Sequence, residues 1–309
     1  MPTERTIYSQ IGPYSPIVER PPLKWPGDAR LALWIVPNIE YYQYMPQVKN
    51  FDPWPRTPHP DVMMYSLRDY GNRVGFWRLL DVLDRHSVRA TLSLNIACYE
   101  NFPEIMAACE SRHYDVMSHG MYNTEFMFDM TEDGERAYIA KCQDTFKQLT
   151  GRDLSGWFSP VASGTVTTSD LVAEAGLTYT ADFHHDDQPV PIHVRSGKLL
   201  SLPYSLDLNE GWNLRLNIDA EEFVLAVKDQ FDRLYQEGGR VMSLALHPYV
   251  FGQPHRIAHL DRLLEYIFSH EGVWQATGSE IAHHFYETQS QHDLTTDSAS
   301  NRSTLAQDV

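Results

Sequence analysis

The chain has 309 residues, 42% hydrophobic and 21% charged, with 17 Gly and 19 Pro, a composition that belongs to a folded globular protein and excludes disordered or fibrous architectures. Lys and Arg number 25 against 41 Asp and Glu, a formal charge of −16, which repels phosphate polymers and anionic surfaces, so nucleic acid is excluded as an expected partner. No run of about 18 apolar residues predicts a membrane span, and the N-terminal residues lack the basic start and apolar core of a secretory signal, so a cytoplasmic location is expected.

Residues 1–28 carry six prolines and read as an extended arm. LALWIVPN, 31–38, is a continuous apolar run that predicts a strand buried on both faces. Residues 41–65 lack periodicity and are rich in Tyr, Pro, Met and Trp, which predicts a long ordered loop. From Arg68 the pattern turns helical, with Phe76, Leu79, Leu80 and Leu83 on one face. SVRATLSLNI is a second strand, NFPEIMAACESR a short helix and YDVMSH a third strand. Residues 131–150 predict a long helix opened by a Thr and an acidic first turn. GWFSP is a fourth strand, TTSDLVAEAG a helix stopped at Gly176, and LTYTADF a fifth strand. Pro189 to Leu214 reads as a hairpin and loop insertion. Then follow a helix over 220–239, the strand VMSLALH, a helix over 255–270 and a last strand, GVWQATGS. Residues 288–309 are rich in Ser, Thr, Gln and Asp and predict a disordered tail. Cys98, Cys109 and Cys142 show no CxxC spacing and read as buried thiols.

This alternation predicts about seven βα units around a parallel sheet closed, or nearly closed, into a barrel. Chemistry in such barrels sits where strands end. Glu40 follows the first strand, His119 the third, the run Asp182, His184, His185, Asp186 and Asp187 the fifth, and His247 the strand VMSLALH. Each residue alone has a structural explanation, such as a core histidine or a solvated loop acid. Their joint position on one rim points to a shared pocket. His119 and Asn123, four apart, can share a face, but an amide is a poor zinc ligand beside imidazole or carboxylate.

The strings YGNRVGFWRLLDVLDRH (70–86), DVMSHG (115–120), GWFSP (156–160), DFHHDDQP (182–189) and the long SLALHPYVFGQPHRIAHLDRLLEYIFSHEGVWQATGSEIA (243–282) resemble the polysaccharide deacetylase superfamily, barrels of the NodB-homology kind. The resemblance covers roughly residues 28–287. It looks nearest to the branch containing metal-independent allantoinases and related cyclic imide hydrolases. It implies an α/β fold, a distorted (β/α)7-type barrel, with an arm at 1–28, one catalytic barrel at 29–287 and a tail at 288–309. Against the metal-dependent members the chain departs at three motifs. Asn38 stands where the base Asp is expected, Asn123 where a second ligand His is expected, and Phe158 where an Arg is expected. His247 matches the family's general acid.

The resemblance therefore implies a hydrolase of non-peptide C–N bonds that opens a small cyclic amide, imide or ureide. Such a ring is already electrophilic and needs less Lewis acid than an N-acetyl amide. In this reading Glu40 takes a proton from water, His247 protonates the leaving nitrogen, and Asp187 or Asp186 holds that imidazole. His119 and Asn123 position the substrate carbonyl or water, while Trp157 and the aromatics of residues 41–65 wall the pocket. No cofactor is required. The alternatives are a carbohydrate N-deacetylase dependent on zinc or another divalent metal, held by Glu40 and His119, and a catalytically silent relative that binds a metabolite. A small-molecule substrate and a homo-oligomer, tetramer or dimer, are the partners implied.

Overall fold

The computed structural model describes residues 11–12, 14–46, 60–128, 130–213 and 219–288. Most of the tail beyond residue 288, the first ten residues and 47–59 of the aromatic segment thus lie outside the described residues. The elements that position the rim are β1 (Leu31–Ile39), α1 (Val62–Tyr70), α2 (Phe76–Arg85), β2 (Thr91–Leu94), α3 (Pro103–Glu110), β3 (Asp115–Ser118), α4 (Glu132–Thr150), β4 (Gly156–Trp157), α5 (Thr168–Glu174) and β5 (Tyr179–Thr180). They continue through β6 (Val190–Ile192), β7 (Leu199–Ser201), α6 (Glu210–Asn213), α7 (Ala220–Glu237), β8 (Arg240–Leu246), α8 (Pro248–Phe251), α9 (Ile257–Phe268) and β9 (Val273–Gln275).

The strands form one sheet in the order β6-β7-β5-β4-β3-β2-β1-β8, with β9 also pairing β1. All described pairings are parallel except the β6–β7 hairpin. The fold is an α/β half-barrel: β8 and the hairpin end the series on opposite sides and are not ladder partners, so the expected barrel is distorted and open at that seam. Next to β8 lies the wholly buried β1, the apolar run read from the sequence.

The period of two residues along a strand decides which side chains meet. In β1, Leu31, Leu33, Ile35 and Ile39 join the layer between sheet and helices, while Ala32, Trp34 and Val36 join the barrel interior. In β8, Met242, Leu244 and Leu246 face the helices, and Val241 and Ala245 face inward. The interior is packed around Trp34, whose ring meets Tyr179 and Tyr204 edge-on at 6.1 and 6.0 Å. Outside, α2 buries Phe76, Leu79, Val82 and Leu83, each buried Leu contributing roughly 1.5–3 kcal/mol. The long helix α4 begins at its Thr131 cap, whose side chain accepts from the Gly134 N–H, and stops at Gly151 in a left-handed conformation, φ 72°.

Two local expectations change. The helix expected from Arg68 begins at Val62, capped by Asp61, which accepts from the Met64 N–H at 3.0 Å. The first turns were illegible because Val62 and Met63 are exposed and leave no apolar stripe. Trp157 does not wall a pocket. Alternation turns it outward into the core against Tyr138 of α4, and sends Phe158 inward instead.

The described part of the arm packs on its own chain. Trp25 is buried at the barrel floor and donates to the Arg240 carbonyl, the His193 N–H bonds the Ile11 carbonyl, and Arg20 forms a bidentate pair with Asp186 at 2.8 and 3.0 Å.

Candidate active site

Inward alternation continues past the strand ends. Register pairs Asn38 with Ser93 and Ser93 with Met117, so two residues further on Glu40, Asn95 and His119 form the next inward layer. Asn95 fastens it: its Oδ1 accepts from the Tyr41 N–H at 2.9 Å and its amide donates to the His119 carbonyl. Asn72, in the π-turn Gly71–Gly75 between α1 and α2, donates to the Glu40 carbonyl at 2.9 Å. β8 brings His247 to the same rim, since Pro37 pairs with Leu246.

Glu40, His119 and His247 converge, all buried. Glu40 Oε1 lies 3.7 Å from His119 Nε2 and 3.6 Å from His247 Nε2. Both separations are longer than a direct hydrogen bond. Glu40 Oε2 accepts from the Tyr42 hydroxyl at 3.0 Å. Tyr42 in turn accepts from the Asn123 amide, and the Arg68 guanidinium lies over its ring, 3.8 Å from the centroid. A carbonyl can only accept, so His119 donates through Nδ1 to the Phe158 carbonyl at 2.9 Å and turns Nε2 to Glu40. Phe158 also stacks on the His119 ring, centroids 4.6 Å apart.

Asp186 and Asp187 do not hold His247, contrary to the sequence reading. After β5 the chain turns back down the barrel. The Asp187 carbonyl accepts from the Val241 N–H at the far end of β8, six residues and about 20 Å of strand from His247, while Asp186 is paired with Arg20. Glu210, from α6 in the insertion, holds His247 instead. Its Oε2 lies 2.7 Å from Nδ1 and its Oε1 accepts the His247 backbone N–H. Gly211 permits that approach: a Cβ there would lie 2.9 Å from His247 Nδ1 and Cε1. Sequence reasoning missed Glu210 because it follows no strand; its one signal was an acid beside a glycine in the insertion.

The charges set protonation. Burial opposes ionisation of Glu40, but the His247 charge and the two facing imidazoles outweigh it and hold the carboxyl well below the usual carboxylate range. Burial likewise opposes the His247 imidazolium, yet Glu210 and Glu40 push its pKa up to about 10. Burial keeps the Tyr42 hydroxyl protonated, far above the usual phenol value, against the pull of Arg68. An ionised carboxylate thus faces a protonated imidazole across a buried gap. Nearby, Asp182 grips the Ser159 N–H and hydroxyl at 2.7 Å each, and burial, only partly opposed by those bonds, pushes its pKa up to about 6.

The polysaccharide deacetylase profile matches residues 56–180. The structure of Puue allantoinase superposes with a TM-score of 0.76 at 28% identity, covering 87% of this chain and 94% of that one. By this family model and these structural neighbours the chain carries a polysaccharide deacetylase domain. A Schizosaccharomyces pombe protein provisionally named as a polysaccharide deacetylase is 27% identical, over 84% of this chain and 91% of its own. A Helicobacter pylori peptidoglycan deacetylase is 26% identical, over 73% and 88% respectively. The similarity to deacetylases supports a hydrolase acting on C–N bonds. Among the described residues no helix is long and apolar enough to cross a membrane.

The resemblance to metal-dependent deacetylases implies a divalent ion at this rim. The donors here do not fit one. Asn123 offers its N–H group to Tyr42, Glu40 Oε2 is occupied by the same hydroxyl, and the Asn38 amide donates to the Val36 carbonyl and Tyr204. The His247 imidazole is already held through Nδ1 by Glu210. One imidazole, one carboxylate oxygen and the Asn123 amide oxygen, a poor zinc ligand, are left, and among the described residues no group of three or more His, Cys, Asp or Glu could hold a metal ion.

Proposed function

We propose that the protein opens a small cyclic amide, imide or ureide by general acid–base attack of water, as a cytoplasmic homo-oligomer, tetramer or dimer. The observation that carries this reading is the pairing of an ionised Glu40 with a protonated His247, held so by Glu210. Similarity to Puue allantoinase supports the choice of ring.

In the mechanism, Glu40 takes a proton from water as its oxygen attacks the ring carbonyl. His247 delivers the Nε2 proton to the ring nitrogen as the C–N bond breaks. The proton on Glu40 then returns to His247, and the net change is addition of one water. Such groups each contribute about 10²- to 10⁴-fold. Both stand in the right protonation state at neutral pH, but a carboxylate held this acidic is a weak base and an imidazolium held this basic is a weak acid. That pair suits an electrophile already activated by its ring better than an unstrained acetamide.

The second reading, N-deacetylation of a carbohydrate, is favoured by the Helicobacter pylori relative. Hydrolysis of allantoin, hydantoin, succinimide, glutarimide and an N-acetylglucosamine oligomer by chelator-treated protein separates the two. Turnover of a ring compound that survives chelation is expected. Turnover of the acetylated sugar alone, and with zinc alone, overturns the reading. His247→Ala tests the silent relative: an enzyme loses kcat by orders of magnitude, a binder keeps its ligand.

A further inference from the structure

The hydrogen bonds around Tyr42 have a fixed direction. At neutral pH Glu40 is a carboxylate and can only accept, so the Tyr42 hydroxyl must donate to it. The Tyr42 oxygen then accepts from Asn123, which must present its N–H group. The amide orientation therefore follows from the network. The Asn123 backbone is pinned as well, its N–H donating to the Tyr41 carbonyl at 2.9 Å. Asn123 Oδ1 is left buried, without a hydrogen-bond partner, in a side chain 2% exposed. Buried amide oxygens are normally paired, and an orphan calls for a donor.

We propose that Asn123 Oδ1 accepts a hydrogen bond from a ring N–H of the substrate, so that the site selects cyclic imides and ureides with a free N–H and rejects their N-alkylated forms. This rests on the ring-opening reading above and names the substrate class within it. Asn123 and Glu40 share the Tyr42 hydroxyl, so a ring held by its N–H on Asn123 is placed beside the carboxylate that activates water. The same oxygen repels a carbonyl. In this arrangement Asn123 is an acceptor for nitrogen and not a holder of the substrate carbonyl. Tyr42 is the positioning residue that keeps the amide from turning over.

The test compares kcat/KM for succinimide and hydantoin with N-methylsuccinimide, 1-methylhydantoin and 3-methylhydantoin, each divided by its own hydroxide-catalysed rate. Wild-type protein is expected to prefer an N–H ring over a methylated partner by at least about 10²-fold, since sites built to pair a substrate N–H discriminate strongly against analogues lacking it. In Asn123→Leu that corrected ratio is expected to fall below about 10, by loss on the N–H ring and gain on the methylated one. Asn123→Ala, which leaves the space empty, gives the same collapse and serves if the Leu variant does not fold by circular dichroism. Equal corrected rates for N–H and N-methyl rings in the wild type overturn the inference and leave the ring-opening reading standing. Retention of the wild-type ratio in either folded variant also overturns it. No turnover of any ring removes both.

Discussion

Glu210 holds His247 at two points, its Oε2 2.7 Å from the imidazole Nδ1 and its Oε1 on the backbone N–H. The ring is thereby oriented with Nε2 toward Glu40, and its charged form is favoured by two carboxylates on opposite sides. Glu210→Gln keeps the shape and removes the charge. We expect kcat to fall by about 10²- to 10⁴-fold, the range seen when the carboxylate behind a catalytic imidazole is neutralised. The alkaline limb of the pH–rate profile should also move from about 10 toward neutrality. A profile with an unmoved limb would separate Glu210 from the proton chemistry.

The wild-type profile itself is a prediction. With His247 at about 10, activity should hold across neutral pH and fall as His247 loses its proton near pH 10. Stability follows the same sign. The folded pKa lies above the ordinary 6.5, so the contribution of His247 is complete below about pH 6.5 and lost as pH rises through about 10. Glu40 runs the other way, contributing above its ordinary value and failing only in strong acid. Denaturant midpoints from about pH 2 to about pH 11 check both.

Gly211→Ala should disturb His247 without unfolding the barrel. The added carbon would sit 2.9 Å from the imidazole, and α6 must shift or the ring must turn. We expect about a 10- to 100-fold loss in kcat, as misplacements of about 1 Å produce, with an unchanged circular dichroism spectrum.

Asp182 carries a folded pKa raised to about 6 by burial. It favours the fold below its ordinary 3.8 and loses that contribution as pH rises through about 6, above which a charged group is held in a buried place. Asp182→Asn can still accept from the Ser159 N–H and is free of that charge. Its melting temperature should exceed the wild type's at pH 8 by about 2 °C or more, the response to roughly 1 kcal/mol in a large domain. The gap should close near pH 4.

Periodicity carried much of the fold. The apolar run of β1, the stripe of α2 and the Thr and Gly ends of α4 and α5 each reappear within a few residues. Strand-end position also located Glu40, His119 and His247, because inward alternation is a local property that a sequence displays. Glu210 and Tyr42 escaped because loop geometry, not period, brings them to the rim. The acids after β5 misled for the same reason: Asp187 follows a strand in sequence, yet the chain doubles back to the opposite end of β8.

β1 bonds to β2, β8 and β9, strands that follow it after about 50, 200 and 230 residues of chain. During synthesis at the ribosome this apolar segment emerges before all three, and one of its edges waits for more than 200 residues before β8 arrives. An unpaired hydrophobic edge is an aggregation hazard for as long as it stays open. The half-finished chain is therefore the vulnerable species in the life of this protein. Yield of active enzyme should respond more to growth temperature and chaperone supply than to anything done to the finished fold.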